Sequence, residues 1–480
     1  MILAADIPSW ISSIAAVIAV GLAIWKEFGK RGTTEPWMWW SAAGVLVVVA
    51  LVFLVLANTG SNASEADPGW LGDDADGKIV YCSGTDVSKS QGRSVDDYNG
   101  SSASGTSRAR LVDDFSQAKT ADGQREEYLK KVKKGDCDVV YLDIVYTPEF
   151  ASKQLLRDMT EYVEGRGVEN FDDKMMQTVE YDDKLWAIPK QLDGGVLYQR
   201  YVDGPAKEPE SWQEVLRRSV PRPGEKPGLR VQLDAYEGLT VVFLELALAA
   251  GADPIVSDDG ASANVDQVET LAALQFMRDA IRLRAVPKKV TSQGDDGSFY
   301  AFSVGRAKFL RSWPYVETQL GFEARAAEGR GSATAQARRR TADNHGVVPL
   351  PPWQPGDRRV GVLGGHNLVI PRSSKNPEGA LHLIEFLTSE EQILRDAERA
   401  SLAPVLNDLW TRPEVRDNPA LSAVDEMEFE LRPVIPRYAQ VSRAIYSALR
   451  RVLSNEASDE RLRDTLQTIQ NDVQAVLDRP

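Results

Sequence analysis

Cysteine and histidine are scarce in this chain of 480 residues: Cys82 and Cys137 on one side, His345, His366 and His382 on the other. No CxxC, HExxH or Cys/His cluster can be drawn from them, which excludes the familiar zinc sites, and no metal is expected. An excess of basic charge is also missing. Fifty-six Lys and Arg stand against 70 Asp and Glu, a formal net charge of -14, whereas a general nucleic-acid binder needs a basic face to neutralise phosphates. Catalytic signatures are absent as well: no GxxxxGK phosphate loop, GxGxxG turn or GxSxG elbow occurs. The stretch GSSASG at 100–105 has the wrong spacing and reads as a turn. No catalytic residue and no cofactor is therefore expected. A glycosidase remains the enzymatic alternative, with Asp143, Asp193 and Glu237 as candidate carboxylates.

Apolar residues are abundant at the N-terminus. Residues 7–25 and 36–57 carry no charge, and each is about the ~20 residues that cross a bilayer as a helix. Trp37, Trp39 and Trp40 open the second run, where aromatics suit the membrane–water interface. A cleaved signal peptide would want a basic start, yet MILAAD holds Asp6 and no Lys or Arg. Between the runs lie Lys26, Lys30 and Arg31, so the loop is expected in the cytoplasm and both flanks outside. This predicts a transmembrane helical hairpin over 1–57, with the rest of the chain on the extracytoplasmic side of the cell membrane. Residues 58–77 are small, acidic and glycine-rich, and read as a flexible linker spanning roughly 25 Å.

From Lys78 the pattern alternates. KIVYCSG and DVVYLD (138–143) read as short strands, the second ending on a carboxylate; REEYLKKVKKG and TPEFASKQLLRDMTEYV read as helical. Asn376-Pro377 is a helix cap followed by proline at the first helical position. Val441, Ile445, Leu449 and Val452, then Leu462, Leu466, Ile469 and Val473, recur at helical spacing and predict two core-facing helices near the end. EGRGSATAQARRRTADNH (328–345) reads as a mobile surface loop. Strands alternating with helices predict α/β units with largely parallel sheets.

The ordered segments DVVYLDIVYTPEFASKQLL, LWAIPKQLDGGVLYQR, PESWQEV, YEGLTVVFLE, GRAKFLRSWPY, GVVPLP, LGGHNLVIP, FLTSEEQ, SLAP and RPVIPRYAQVSRAI span nearly all of 78–455. Together they resemble the extracellular solute-binding proteins of carbohydrate ABC transporters, in their trehalose/maltose-binding branch. The resemblance implies a two-lobed α/β fold of the type II periplasmic-binding-protein kind. Lobe one would hold 78–192 and 346–398, lobe two 193–345 and 399–480, with the chain crossing near Asp193, His345 and residue 399. It also implies capture of a sugar, a di- or oligosaccharide, for the permease subunits of an ABC importer. The hairpin departs from the lipid anchor usual in such proteins and keeps open a membrane-anchored sensor.

By the same resemblance, Asp86, Asp143, Asp193 and Glu237 would bind sugar hydroxyls and Trp313 would stack on a sugar ring, with Tyr315 behind it. Gly365, beside Gly364, would bring backbone amides close to ligand. His366 would bond a hydroxyl, and Arg437, or else Arg432, would reach into the cleft. Asp295 or Asp296 stands where relatives carry a glutamate, and the sequence reads as solvated loop there. Lys190 replaces a small polar residue and, at a cleft mouth, would suit an acidic or phosphorylated sugar. In such a lobe Cys82 and Cys137 lie on parallel neighbouring strands. With Ser83 level with Asp143 their sulfurs would stand roughly 16 Å apart along the strands, so no disulfide is expected.

Overall fold

A computed structural model describes residues 77–479, apart from 87, 106, 116, 117, 119, 168, 202, 203, 289–293 and 454–456. The expected hairpin, and the expected linker up to residue 76, lie outside the described residues. No helix among the described residues is long and apolar enough to cross a membrane.

In chain order, the first part builds β1 (Lys78–Cys82), α1 (Ser90–Gly100), β2 (Arg108–Val112), α2 (Ala121–Lys134) and β3 (Val139–Asp143). Local chemistry sets these limits. The Thr120 side chain accepts the Gly123 amide at the start of α2, and Gly135 in the left-handed region ends it. Two β-branched residues begin β3, whose Val139 to Leu142 are all buried. Next come β4 (Ile188–Asp193), β5 (Val196–Arg200) and β6 (Leu229–Arg230), then α3 (Glu237–Ala249), every residue of which is buried.

The chain continues through α4 (Asp295–Ser303), β7 (Phe309–Ser312), α5 (Val316–Ala326) and α6 (Ala333–Asp343). Then follow β8 (His345–Pro349), β9 (Val360–Val362) and β10 (Gly364–Val369), and after them α7 (Pro377–Leu387) and α8 (Glu390–Ala400). The last labelled elements are β11 (Glu428–Glu430), α9 (Tyr438–Leu453) and α10 (Asp459–Leu477). The two helices expected near the end are these last two, and their eight periodic residues are buried.

Two main sheets result, in the orders β2-β1-β3-β10-β4 and β8-β5-β7-β6, with β9 and β11 forming a parallel pair apart from them. The α/β class holds, but the sheets are not largely parallel. In the first, β1 runs parallel to β2 and β3 while β10 runs against both its neighbours. In the second, β5 runs against β8 and β7. Strand β10 reaches its sheet from the other one rather than through a helical crossover, so nothing imposes the parallel sense.

Strand β8, which starts at His345, pairs with β5, and the chain returns to the first sheet after Pro349. Ala403 still bridges to Leu192, and Leu406 to Phe171, so the chain stays with the first sheet past residue 399. Two further local expectations are corrected. The Arg-rich stretch expected as a loop forms α6, capped by the Ser332 side chain, and the helix expected over TPEFASKQLLRDMTEYV splits into Thr147–Ser152 and Thr160–Arg166.

Cys82 and Cys137 form a disulfide with a Cα separation of 5.8 Å, against expectation. Cys82 lies level with Val140 rather than beyond it, which shortens the assumed offset. A straight strand would still leave about 10 Å between the two cysteines. The shorter distance means that Cys137 turns off the line of β3. Asp138 fixes that turn: its Oδ2 accepts the Val80 amide at 2.8 Å, and its own amide donates to the Val80 carbonyl at 2.8 Å.

Candidate ligand-binding site between the two sheets

Asp143 closes β3, where its Oδ1 accepts the Val145 amide at 3.2 Å. His366 lies across from it on β10 and stacks on Tyr141, ring centroids 3.9 Å apart and planes within 5°. The Tyr141 hydroxyl donates to Gln191 of β4. Burial, and then the charge of Arg432, pull the His366 pKa down to about 3, so the ring stays neutral near pH 7.

Arg432 follows β11 and reaches two carboxylates. Its Nη2 pairs with Asp143 Oδ1 at 3.1 Å and its Nη1 with Glu237 Oε1 at 2.7 Å, while Nε donates to the Leu363 carbonyl at 3.3 Å. Burial alone would weaken the guanidinium's hold on its proton; Asp143 and Glu237 outweigh it. Glu237 opens α3 and also accepts the Tyr438 hydroxyl at 2.8 Å. The Glu237 amide donates to Asp122 Oδ2 at 3.3 Å, so a carboxylate from α2 caps the start of α3, which has no side-chain cap of its own. Burial, reinforced by Glu237, raises Asp122 to about 6. One run of bonds thus links Asp143 of the first sheet to the helix beside the second.

Asp193 ends β4 at the step between sheets. Its Oδ1 accepts the Gly194 amide at 3.0 Å, and burial raises its carboxyl to about 7. The two glycines that follow are dictated by packing: a Cβ on Gly194 would lie 2.2 Å from the Phe429 ring, and one on Gly195 2.4 Å from Glu245 Oε1. Glu245 and Arg311 form a fully buried bidentate ion pair, and Arg311 Nη1 donates to Gln232 at 3.2 Å. The guanidinium carbon sits 3.9 Å from the centre of the Trp313 ring, so one face of that ring is already covered.

Asp143 and Glu237 meet on Arg432, His366 and Asp193 lie near enough to feel its charge, and Trp313 stands over Arg311. Gly365 belongs to the same strand, but a Cβ there would lie 2.2 Å from the Gln191 carbonyl at a φ of +135°, so strand packing already demands glycine. Asp86 instead accepts the Ser90 and Gly92 amides, each at 3.1 Å, capping α1. Arg437 turns to the Leu477 carbonyl at the end of α10, 3.3 Å away; Arg432 is the arginine that joins the cluster. Lys190 lies at no cleft mouth. It is buried against Asp396 at 2.7 Å and the Leu387 carbonyl at 2.5 Å, and so offers nothing to an acidic sugar. Reasoning from sequence missed Arg311, Glu245 and Tyr236, although a glutamate inside the apolar run VVFLELALA signals a buried partner.

Two α/β sheets whose strand ends converge on shared polar and aromatic side chains define a two-lobed binding protein. The chain belongs to the bacterial extracellular solute-binding proteins, whose family profile matches residues 114–393. These are binders and not enzymes, and they act outside the cytoplasm, where a disulfide persists. A probable ABC transporter-binding protein of Deinococcus radiodurans is 28% identical over 344 residues, 68% of this chain and 77% of its own. Maltose-bound MalE3 of T. maritima superposes with a TM-score of 0.70 at 25% identity, over 83% of this chain and 99% of its own. The GacH receptor of Streptomyces glaucescens, solved unliganded and with acarbose, gives 0.67 at 19% identity, over 84% and 99%. The likeness inferred from sequence is thereby borne out.

Proposed function

We propose that this chain captures a di- or oligosaccharide between its lobes and delivers it to the permease subunits of an ABC importer, tethered by a membrane hairpin over 1–57. Lobe one is built on the sheet of β1 to β4 and β10, lobe two on that of β5 to β8. The observation that carries the reading is the pairing of Asp143 and Glu237 through Arg432, with Asp193 within electrostatic reach of Arg311 and Arg432 and Trp313 stacked over Arg311. Carboxylates accept hydroxyls in strong charge-assisted bonds, and an aromatic face suits the apolar side of a sugar ring. Maltose in a structure this similar and the curated ABC-transporter relative support the class of ligand and partner.

The test is a thermal-shift screen of the full chain in detergent against maltose, maltotriose and trehalose. A millimolar sugar bound at micromolar Kd stabilises by about 4 kcal/mol. Trp313→Ala should remove the shift while the protein still melts cooperatively. A response to amino acids or peptides and to no sugar would reject the reading. The doubled apolar run favours a second reading, an anchored sensor. Reconstitution with the permease separates the two, since a sensor supports no uptake.

A further inference from the structure

Beyond Arg432 and Asp122, the lobes touch again at a place that holds none of the candidate sugar residues. Helix α8 closes on Ser401, and Ala403 then bridges to Leu192 of β4, so Ser401 belongs to lobe one. Its hydroxyl shares a hydrogen bond with the Thr318 hydroxyl at 2.9 Å, and Thr318 lies on α5, between β7 and β8 of lobe two. Asn418 Nδ2 donates to the same Ser401 hydroxyl at 3.0 Å. Asn418 Oδ1 accepts the Ala420 and Leu421 amides, 3.0 and 3.3 Å away, at the start of the helix Pro419–Asp425, which packs on β8. That cap fixes which end of the Asn418 amide faces Ser401.

Ser401 sits in a backbone conformation that suits glycine. It ends α8 in the left-handed region, with φ +53° and ψ +43°, and is buried. Glycine fills such a position at no steric cost, whereas serine accepts strain there and supplies a hydroxyl. A second contact runs beside it. Arg93 of α1 sets its guanidinium carbon 5.0 Å from the centre of the Phe322 ring on α5, and its Nη1 donates at 3.1 Å to the Arg399 carbonyl in the last turn of α8. Arg325 of α5 lies 4.9 Å from the same ring. The Phe322 ring thus takes a cation from each lobe, and Arg93 ties it to the helix that ends at Ser401.

We infer that Ser401, Thr318 and the Arg93–Phe322 stack form a latch that holds the two lobes together from outside the sugar site. Contacts that exist only while the lobes are together favour that state by their own free energy. With a sugar enclosed, the same contacts slow its escape, because differences of this kind appear chiefly in the dissociation rate. The hold on the lobes stands apart from any ligand; the effect on release rests on the sugar-capture reading.

The experiment is hydrogen–deuterium exchange of the full chain in detergent, read by mass spectrometry without sugar. The reporter is the start of α3, where the Glu237 amide donates to Asp122 across the lobes and no latch residue lies. Ser401→Gly relieves the backbone and removes the hydroxyl. It should melt no lower than the native chain, yet exchange about three-fold faster or more at the reporter. Phe322→Ala should speed exchange there too, and Phe322→Tyr, which keeps a ring for Arg93, should exchange at the native rate. Maltose should leave Ser401→Gly about three-fold faster than it leaves the native chain in stopped-flow release. Native exchange at α3 in Ser401→Gly overturns the latch, whether or not Phe322→Ala folds. Faster exchange in a chain whose melting no sugar shifts keeps the latch and rejects sugar capture.

Discussion

Single atoms decide the step between the sheets. In QLDGG the aspartate was legible as a site candidate, but the glycines were not legible as packing residues, because nothing nearby in sequence names Phe429 or the Glu245–Arg311 pair that presses on them. Gly195→Ala should drive its methyl into that pair and destabilise by about 2–4 kcal/mol, measured by urea denaturation; an unchanged midpoint would contradict the packing. His345 offers a pH test. Burial pulls its pKa down, but the hydrogen bond and charge of Glu317 and the Thr341 and Ala342 carbonyls raise it overall above 6.5. A raised folded pKa adds stability that is complete below 6.5 and fades as pH climbs through the folded value. The stability gap between the native chain and His345→Gln should therefore be wider at pH 5.5 than at pH 8.5.

Elements were legible where their periodicity was local. Strands β1 and β3 and the final helices follow from apolar spacing, and α7 from its Asn-Pro start. The sense of β10 was not, since it depends on which sheet the chain has just left. Nor was α6, whose polar, Arg-rich sequence carries little apolar signal. The disulfide belongs to this scale, because it turns on the register of β1 against β3. It closes a loop of 55 residues, worth about 4 kcal/mol in the chain-entropy picture. Replacing both cysteines by serine should lower stability by roughly that amount in chemical denaturation, and reduction of the native chain should reproduce the loss. No change on reduction would mean that the pair is not closed in solution.

At the scale of the whole molecule, Arg432 is the hub. It takes a carboxylate from β3 and one from α3, and Asp122 of α2 reaches the same helix end. Removing the guanidinium leaves the buried Glu237 and the half-buried Asp143 without their shared partner; loss of one partner of a buried pair costs about 3–5 kcal/mol, and the exposure of Asp143 lowers its share. Arg432→Ala should melt earlier and, without ligand, show a larger radius of gyration by small-angle scattering, because the bond between the two sides is gone. Unchanged scattering would show that other contacts hold the lobes together.

By itself the sequence determined the class. Scarce Cys and His argued against the familiar zinc sites, net acidity against a nucleic-acid binder and missing motifs against a phosphate loop; alternation predicted α/β units, and ordered motifs pointed to the solute-binding family. Candidates Asp143, Asp193, Glu237, Trp313 and His366 were legible because they sit at strand ends or helix starts, positions that local pattern reveals. Only the tertiary structure decided which charges cancel. It moved the arginine of the cluster from 437 to 432, buried Lys190 against Asp396, spent Asp86 on a helix cap and paired the cysteines. Each of these outcomes depends on distances between residues far apart in the chain, and electrostatic and covalent pairing are set by those distances and not by residue type.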